Sequence, residues 1–276
     1  MVRASLVLIV LTSALALGES QPSSILTSSK QEEVRVIGSL ELRPSFKNRG
    51  AFHTEDSVVL GAQLDPKTTL VYKQELNSNL FDPTNSQNGV NLYAYDGYFR
   101  ERSNDIWKDD SGHSISLESR IYLPTFSVKR DAGMLTTLRQ YVKFKKWITP
   151  SFNVSFEEVP MFHLYSRAGF NNAANPWFEN REYVSAEYIF TKTVRLFFPF
   201  IISHSRYREF GETAKYNSSW QHKVYFHPEL TYAVTPNTMV GLAYYSDNLL
   251  TPEFKTWILG EALNKGVTQV IMQASL

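Results

Sequence analysis

Cysteine is absent from all 276 residues. That excludes a disulfide scaffold, a cysteine-ligated zinc site and thiol catalysis. It also excludes a lipoprotein, which is acylated on a cysteine at its cleavage site. Neither sign of charge is in excess, since 28 Lys and Arg stand against 27 Asp and Glu. A nucleic-acid binder usually carries a basic surplus or a basic face, so this balance argues against nucleic acid as a partner. Glycine and proline, at 13 and 12 residues, are too few for a low-complexity or collagen-like chain. Beyond residue 18 no apolar run reaches the 18 residues or so that a transmembrane helix needs. Aromatic residues, by contrast, are abundant at 14%. The length suits one large β-domain as readily as two smaller domains.

The one sustained apolar run stands at the start. Arg3 precedes LVLIVLTSALAL at residues 6–17, and Ala16 and Gly18 place small residues at the −3 and −1 positions of a cleavage site. Twelve residues of helix rise only about 18 Å, short of a bilayer core of about 30 Å. The pattern therefore reads as a secretory signal peptide over 1–18, with Ser20 as a second cleavage point. Residues 19–32 are mostly polar and read as a flexible start to the mature chain. The folded part is expected over 33–276.

That part is dominated by a period of two. Val34, Val36, Gly38, Leu40, Leu42 and Phe46 share one parity, while Glu33, Arg35, Ser39, Glu41 and Arg43 share the other. Successive side chains of a strand point to opposite faces, so each such segment is an amphipathic strand. Leu138, Val142, Phe144 and Ile148 alternate with Arg139, Tyr141, Lys143 and Lys145. Phe152, Val154 and Phe156 alternate with Asn153, Ser155 and Glu157. Val184, Ala186 and Tyr188 alternate with Ser185 and Glu187. Val194, Leu196, Phe198, Phe200 and Ile202 form the apolar face of a further strand. Soluble strands average about 5–6 residues, whereas these run to ten or more. Ten residues at about 3.3 Å each, tilted by about 40°, rise roughly 25 Å, the height of an outer-membrane apolar band.

Similar short turns separate the segments: Asp65-Pro66-Lys67-Thr68, Thr149-Pro150-Ser151, Thr191-Lys192-Thr193 and Thr235-Pro236-Asn237-Thr238. Proline presets a turn, and Thr, Asp and Asn side chains bond the local backbone. The spacing of about 42 residues holds two long strands, one tight turn and one longer loop. One turn is missing from the series near residue 107, and Leu123-Pro124-Thr125 is the candidate for it. On that reading Val90 to Arg100 would lie inside a long loop. Residues 166–182 and 203–219 read as long polar loops on the opposite side. Trp147, Phe152, Tyr188, Phe190 and Tyr232 flank the tight turns, as an interfacial girdle would.

With short turns on one side and long loops on the other, residues 33–276 resemble bacterial outer-membrane β-barrel proteins of the porin-like kind. The resemblance implies an all-β, antiparallel transmembrane barrel of about 12 strands, with short periplasmic turns and long extracellular loops. It implies the outer membrane of a Gram-negative bacterium, with outer-membrane lipid, the barrel-insertion machinery and small hydrophilic solutes as partners. Such barrels commonly end on an aromatic residue, and this chain ends on Leu276. Thr251, Pro252, Phe254, Trp257, Ile258 and Ala262 predict a short helix in the last loop.

No cofactor or metal site is expected, because the six histidines form no HExxH pattern. The function expected is not enzymatic. Porin-like hydrolases pair a strand His with a Ser two residues on, whereas Ile115 stands two residues after His113 and the serines are at 114 and 116. Asn153 and Asn217 head glycosylation sequons, and Asn153 lies inside a strand beside a tight turn, where a match reads as accidental. If the apolar parity faces lipid, the polar parity lines the lumen. That predicts Arg139, Lys143, Lys145, Glu118, Arg120, Glu157, Glu187, Arg195, Lys223 and Glu229 as pore-lining residues, with Arg139, Lys143 and Lys145 a cationic stripe. Two functions follow: a passive channel for small hydrophilic solutes, or a non-conducting structural barrel whose loops bind a partner. A soluble secreted β-protein is a third reading, which membrane partitioning would exclude.

Overall fold

A computed structural model describes residues 34–47, 52–81, 91–246, 248–249 and 265–275. The expected signal peptide, the flexible segment at 19–32, the helix beginning at Thr251 and the terminal Leu276 lie outside the described residues.

The described chain is almost entirely strand. In order it runs β1 (Arg35–Leu42), β2 (Pro44–Lys47), β3 (Phe52–Gln63), β4 (Thr68–Phe81), β5 (Asn91–Lys108) and β6 (His113–Leu123). A one-turn helix α1 (Ser127–Asp131) follows, then β7 (Met134–Thr149) and β8 (Phe152–Tyr165). The short β9 (Gly169–Phe170) and β10 (Ala173–Ala174) form a hairpin within a loop. The chain then continues through β11 (Pro176–Ile189), β12 (Val194–Tyr207), β13 (Trp220–Phe226), β14 (Glu229–Thr235), β15 (Thr238–Tyr245) and β16 (Val267–Ser275).

All pairings in the main sheet are antiparallel between neighbours in the chain, and the first strand closes on the last. Leu40 sits opposite Val58 of β3 on one side and Ala274 of β16 on the other. β1 and β2 are one stave interrupted at Arg43. β13 and β14 are another, interrupted at His227 and Pro228, where proline has no N–H for the ladder. The His227 amide instead reaches the Pro199 carbonyl at 3.1 Å. The result is a closed barrel of 12 staves, as the alternation and the resemblance predict. Closure leaves no unpaired edge along the staves, which hydrocarbon would not tolerate.

The tight turns share one chemistry. An oxygen of the first side chain accepts backbone N–H groups of the turn. Asp65 Oδ1 accepts from Lys67 N at 2.7 Å and Thr68 N at 2.9 Å. Thr149 Oγ1 accepts from Ser151 N, Thr191 Oγ1 from Val194 N at 3.0 Å, and Thr235 Oγ1 from Asn237 N. The turn absent from the sequence series is Asp109 to Gly112, where Asp109 Oδ1 accepts from His113 N at 2.8 Å. Gly112 closes that turn at φ +88°, a conformation that suits glycine because it has no Cβ. Leu123-Pro124-Thr125 is therefore not the missing tight turn. It opens the β6–β7 loop on the opposite rim, and Asn91 to Arg100 belongs to β5. The loop expected over 166–182 ends at Asn175, since β11 begins at Pro176. Likewise β12 carries residues 203–207 of the expected 203–219 loop.

The wall is inside-out relative to a soluble protein. Val36, Leu40, Leu60, Leu70, Val184, Leu230 and Leu242 are exposed large apolar side chains on the outer surface. Mid-strand charges such as Glu118 are turned inward and buried. Trp107, Tyr188, Phe190 and Tyr232 are exposed towards the tight-turn end, and Phe46, Phe162, Trp177 and Trp220 towards the other. Two aromatic levels with an apolar band between them match a lipid bilayer. Trp147 is not part of the outer girdle. It shares the inward parity of Lys145, whose Nζ lies 5.6 Å from its ring.

Candidate functional site

The inward parities converge on the lumen. On β5, β6, β7 and β11 they bring together a wall of guanidinium groups and phenol rings. Glu118, 4% exposed, is clamped between Arg102 Nε at 2.8 Å and Arg120 on its own strand. The Arg120 guanidinium carbon lies 4.2 Å from the Tyr141 ring centre and 4.8 Å from that of Tyr98. Arg139 lies 4.0 Å from the ring centre of Tyr122. A guanidinium over an aromatic face is held by the ring quadrupole while its N–H groups stay available. Arg181 Nε bonds Glu179 at 2.6 Å, and His163 Nε2 stands 3.7 Å from the same carboxylate.

Nearer the tight turns the pairing loosens. Lys143 Nζ lies 3.9 Å from Glu157, and its ammonium is 5.9 Å from the Phe197 ring of β12. Arg195 lies 3.9 Å from Glu187, which also accepts from Asn153 Nδ2 at 2.8 Å. A cavity of about 400 Å³ opens here, bounded by Glu187, Arg195, Phe197 and Glu229.

The facing wall, on β1 to β4 and β14 to β16, is the more acidic. Arg43 is surrounded by Glu41, Glu229 at 3.5 Å and the Tyr245 hydroxyl at 2.8 Å. Glu55 accepts from Gln269 Nε2 at 3.0 Å, and Lys73 lies 3.7 Å from Glu75. Glu41, Arg43, Glu55, Lys73 and Glu75 line a second cavity of about 390 Å³. Cations gathered on one side and carboxylates on the other set up a field across the lumen rather than along it.

One loop folds into the mouth opposite the tight turns. The loop of residues 124–133 carries α1, and Lys129 forms an ion pair with Asp96, which is 1% exposed. Lys129 Nζ also stands 5.0 Å from the Tyr95 ring, which packs on Phe126. Gly97 N donates to Thr125 Oγ1 at 2.8 Å. Asn175 then ties this loop to the next, donating to the carbonyls of Ala132 at 3.0 Å and Arg167 at 3.1 Å.

Of the residues expected in the lumen, Glu118 and Arg120 meet directly, as do Lys143 with Glu157 and Glu187 with Arg195. Arg139 joins them through Tyr122. Glu229 stands on the acidic wall beside Arg43, and Lys145 lies at the tight-turn end by Trp147. Lys223 shares its row with Ser203. Arg100, Arg102, Glu179, Arg181, Glu55 and Asp96 also face inward but were missing from the sequence expectation. Glu179 and Arg181 fall in the segment whose sequence reads as loop. The Asp109, Ser111 and His113 contacts form no nucleophile–base pair. Aspartate and serine both approach His113 Nδ1, at 2.8 and 2.9 Å, so neither is relayed through the ring to the other. No group of residues suited to a metal ion occurs among the described residues.

No protein-family model matches the chain, and no curated protein matches it in sequence. Solved structures do match in fold. An outer-membrane channel from Pseudomonas putida F1 superimposes with a TM-score of 0.60 at 11% identity, over 94% of this chain and 100% of its own. The NanC porin gives 0.53 at 13% identity, over 85% and 98%. The KdgM porin, also seen in complex with disordered oligogalacturonate, gives 0.50 at 11% identity, over 86% and 99%. The chain thus has the fold of porin-like outer-membrane barrels.

Proposed function

We propose that the protein is a passive channel for small hydrophilic solutes in the outer membrane of a Gram-negative bacterium. The observation that carries this reading is the polarity of the two wall faces. An exposed apolar outer face surrounds a lumen lined by charged and phenolic side chains, with two polar cavities along its wall. Arg139, Lys143, Lys145, Arg120, Arg195 and Lys223, with Glu118, Glu157, Glu187 and Glu229 between them, make up the lining. A solute exchanges its hydration for these fixed donors and acceptors and leaves again because no single site holds it tightly. The guanidinium wall favours anionic solutes, and the carboxylate wall accommodates the positive end of a zwitterion.

Export by a cleaved signal peptide over 1–18 and assembly by the barrel-insertion machinery complete the reading. The tight turns at Pro66, Pro150 and Pro236 face the periplasm, and the loops around Asn171 and Glu212 face outward. Protease added to intact cells then cuts the loops and spares the turns, and the opposite pattern would invert the topology.

The pairing of Glu118 with two arginines favours a second reading, a barrel closed by its own side chains. Reversal potentials in a salt gradient separate the two. The Arg139→Glu, Lys143→Glu double variant should shift an open channel towards cations. Conduction whose selectivity ignores both changes would remove this stripe from the ion path. An inserted, folded barrel that never conducts would establish the closed reading.

A further inference from the structure

The outer wall carries a polar patch that the channel function does not use. On β8, β11, β12 and β13 the ladder aligns Pro160 with Asn180, Asn180 with His204, and His204 with His222. One row nearer the tight turns, Glu158 stands opposite Glu182. Residues directly opposite in a ladder share a face, and this face is the outer one. Phe156 and Val184, two residues below the glutamates, are 41% and 53% exposed. Phe162, four residues above Glu158, is 45% exposed. The two carboxylates therefore interrupt the apolar band from within.

The patch is only partly satisfied by its own barrel. Asn180 Nδ2 reaches Glu158 and Glu182 at 3.4 Å each. Its Oδ1 is buried and has no hydrogen-bond partner among the described residues. His204 Nδ1 is 2.6 Å from His222 Nδ1, and the His222 ring is stacked under Trp220, with 10° between their planes. A cleft of about 450 Å³ lies between Glu158, Phe178, Asn180 and the two histidines. Acyl chains supply neither donors nor acceptors, and ionisable groups facing them are costly.

We propose that this patch docks a second copy of the chain, with a two-fold axis along the membrane normal passing outside β11 and β12. Charge complementarity selects a second copy as the occupant. The carboxylates lie on the β8–β11 side of the patch and the imidazoles on the β12–β13 side. A two-fold along the normal preserves height and exchanges the sides. Glu182 and His204 lie 4.0 Å apart, so their heights agree within that distance. Rotation then sets Glu182 against the partner's His204, and the Asn180 amide meets its own copy near the axis. Each cleft then receives the partner's side chains in place of acyl chains.

The absence of cysteine makes the test clean. Asn180→Cys in the full chain, treated in membranes with a short bismaleimide, should give a covalent dimer. Leu242→Cys, on the outer face of β15, should stay monomeric. Heat-modifiable migration on gels confirms that each variant is a folded barrel. Glu182→Leu with His204→Leu, both compatible with a lipid face, should lower the dimer fraction of the cysteine variant by at least about tenfold. Equal crosslinking at both cysteines would overturn the proposal as random collision. Folded Asn180→Cys that stays uncrosslinked would also overturn it. If lipopolysaccharide co-purified with that monomer, the patch would belong to a lipid. None of these outcomes depends on conduction.

Discussion

Val58 and Val59 are adjacent in β3 and have the same side chain, yet they face different solvents. Val58 is exposed on the outer wall, opposite Leu40 and Gln74. Val59 faces the lumen, opposite Ser39 and Lys73. Arginine at 58 places a charge in the lipid band about six residues above the tight turn, roughly 15 Å along the membrane normal. Near the midplane such a charge costs about 2–4 kcal/mol, a change of roughly 30- to 1000-fold in the folding equilibrium. Arginine at 59 meets the Lys73 ammonium across the ladder, a repulsion of about 0.2–1 kcal/mol, with Glu75 close by to offset it. Val58→Arg is therefore expected to destabilise the barrel by at least about 1 kcal/mol more than Val59→Arg. Reversible guanidinium unfolding in phospholipid vesicles, followed by tryptophan fluorescence, measures both. Equal losses, or a larger loss at 59, would refute the assignment of the two faces.

Glu118→Gln leaves Arg102 and Arg120 without their buried carboxylate and is expected to cost about 3 kcal/mol. Glu187→Gln, whose partner Arg195 is 56% exposed, should cost under about 1 kcal/mol, and the reverse order in the same unfolding assay would contradict the burial argument. Lys129→Ala unties α1 from Asp96, so limited trypsin treatment should cut after Arg130 faster than in the parent; an unchanged rate would mean that the pair does not hold the loop. The Asp109 carboxyl accepts the His113 amide and faces its imidazole, which lowers its pKa to about 2 from the usual 3.8. Because the folded value is depressed, its contribution to the turn is complete above about pH 4 and is lost as the pH falls through about 2. The His113 amide chemical shift should titrate near that value, and a midpoint at 3.8 or above would show that the turn does not hold the carboxylate.

Most staves were readable because lipid and water select opposite parities along a continuous strand. β7 shows this through its middle, with Leu138, Val142 and Phe144 outside and Arg139, Tyr141, Lys143 and Lys145 inside. β5 was obscure because its register shifts twice, between Gln74 and Leu76 of its partner β4 and again between Ser103 and Trp107. Tyr95 and Tyr98 both face inward although they are three residues apart, and Asp105 takes φ +47°. A strict period of two fails across such bulges. That failure removed Asp96, Arg100 and Arg102 from the expected lining. Polar β-segments near a rim also read as loop, as the one around Glu179 and Arg181 does. The outer patch had left one trace in the sequence. Glu157 and Glu158 are adjacent in a strand, so one of the two carboxylates must point outward. Which loop folds into the mouth was not legible, because the Lys129 and Asp96 contact joins residues 33 apart through tertiary closure alone.

A channel must conduct through its lumen. Purified, folded protein added to one side of a planar lipid bilayer should produce stepwise conductance increments of uniform size. Addition of heat-unfolded protein should produce none. Folded barrels that demonstrably insert, yet leave the current at baseline across the full voltage range, would contradict the channel.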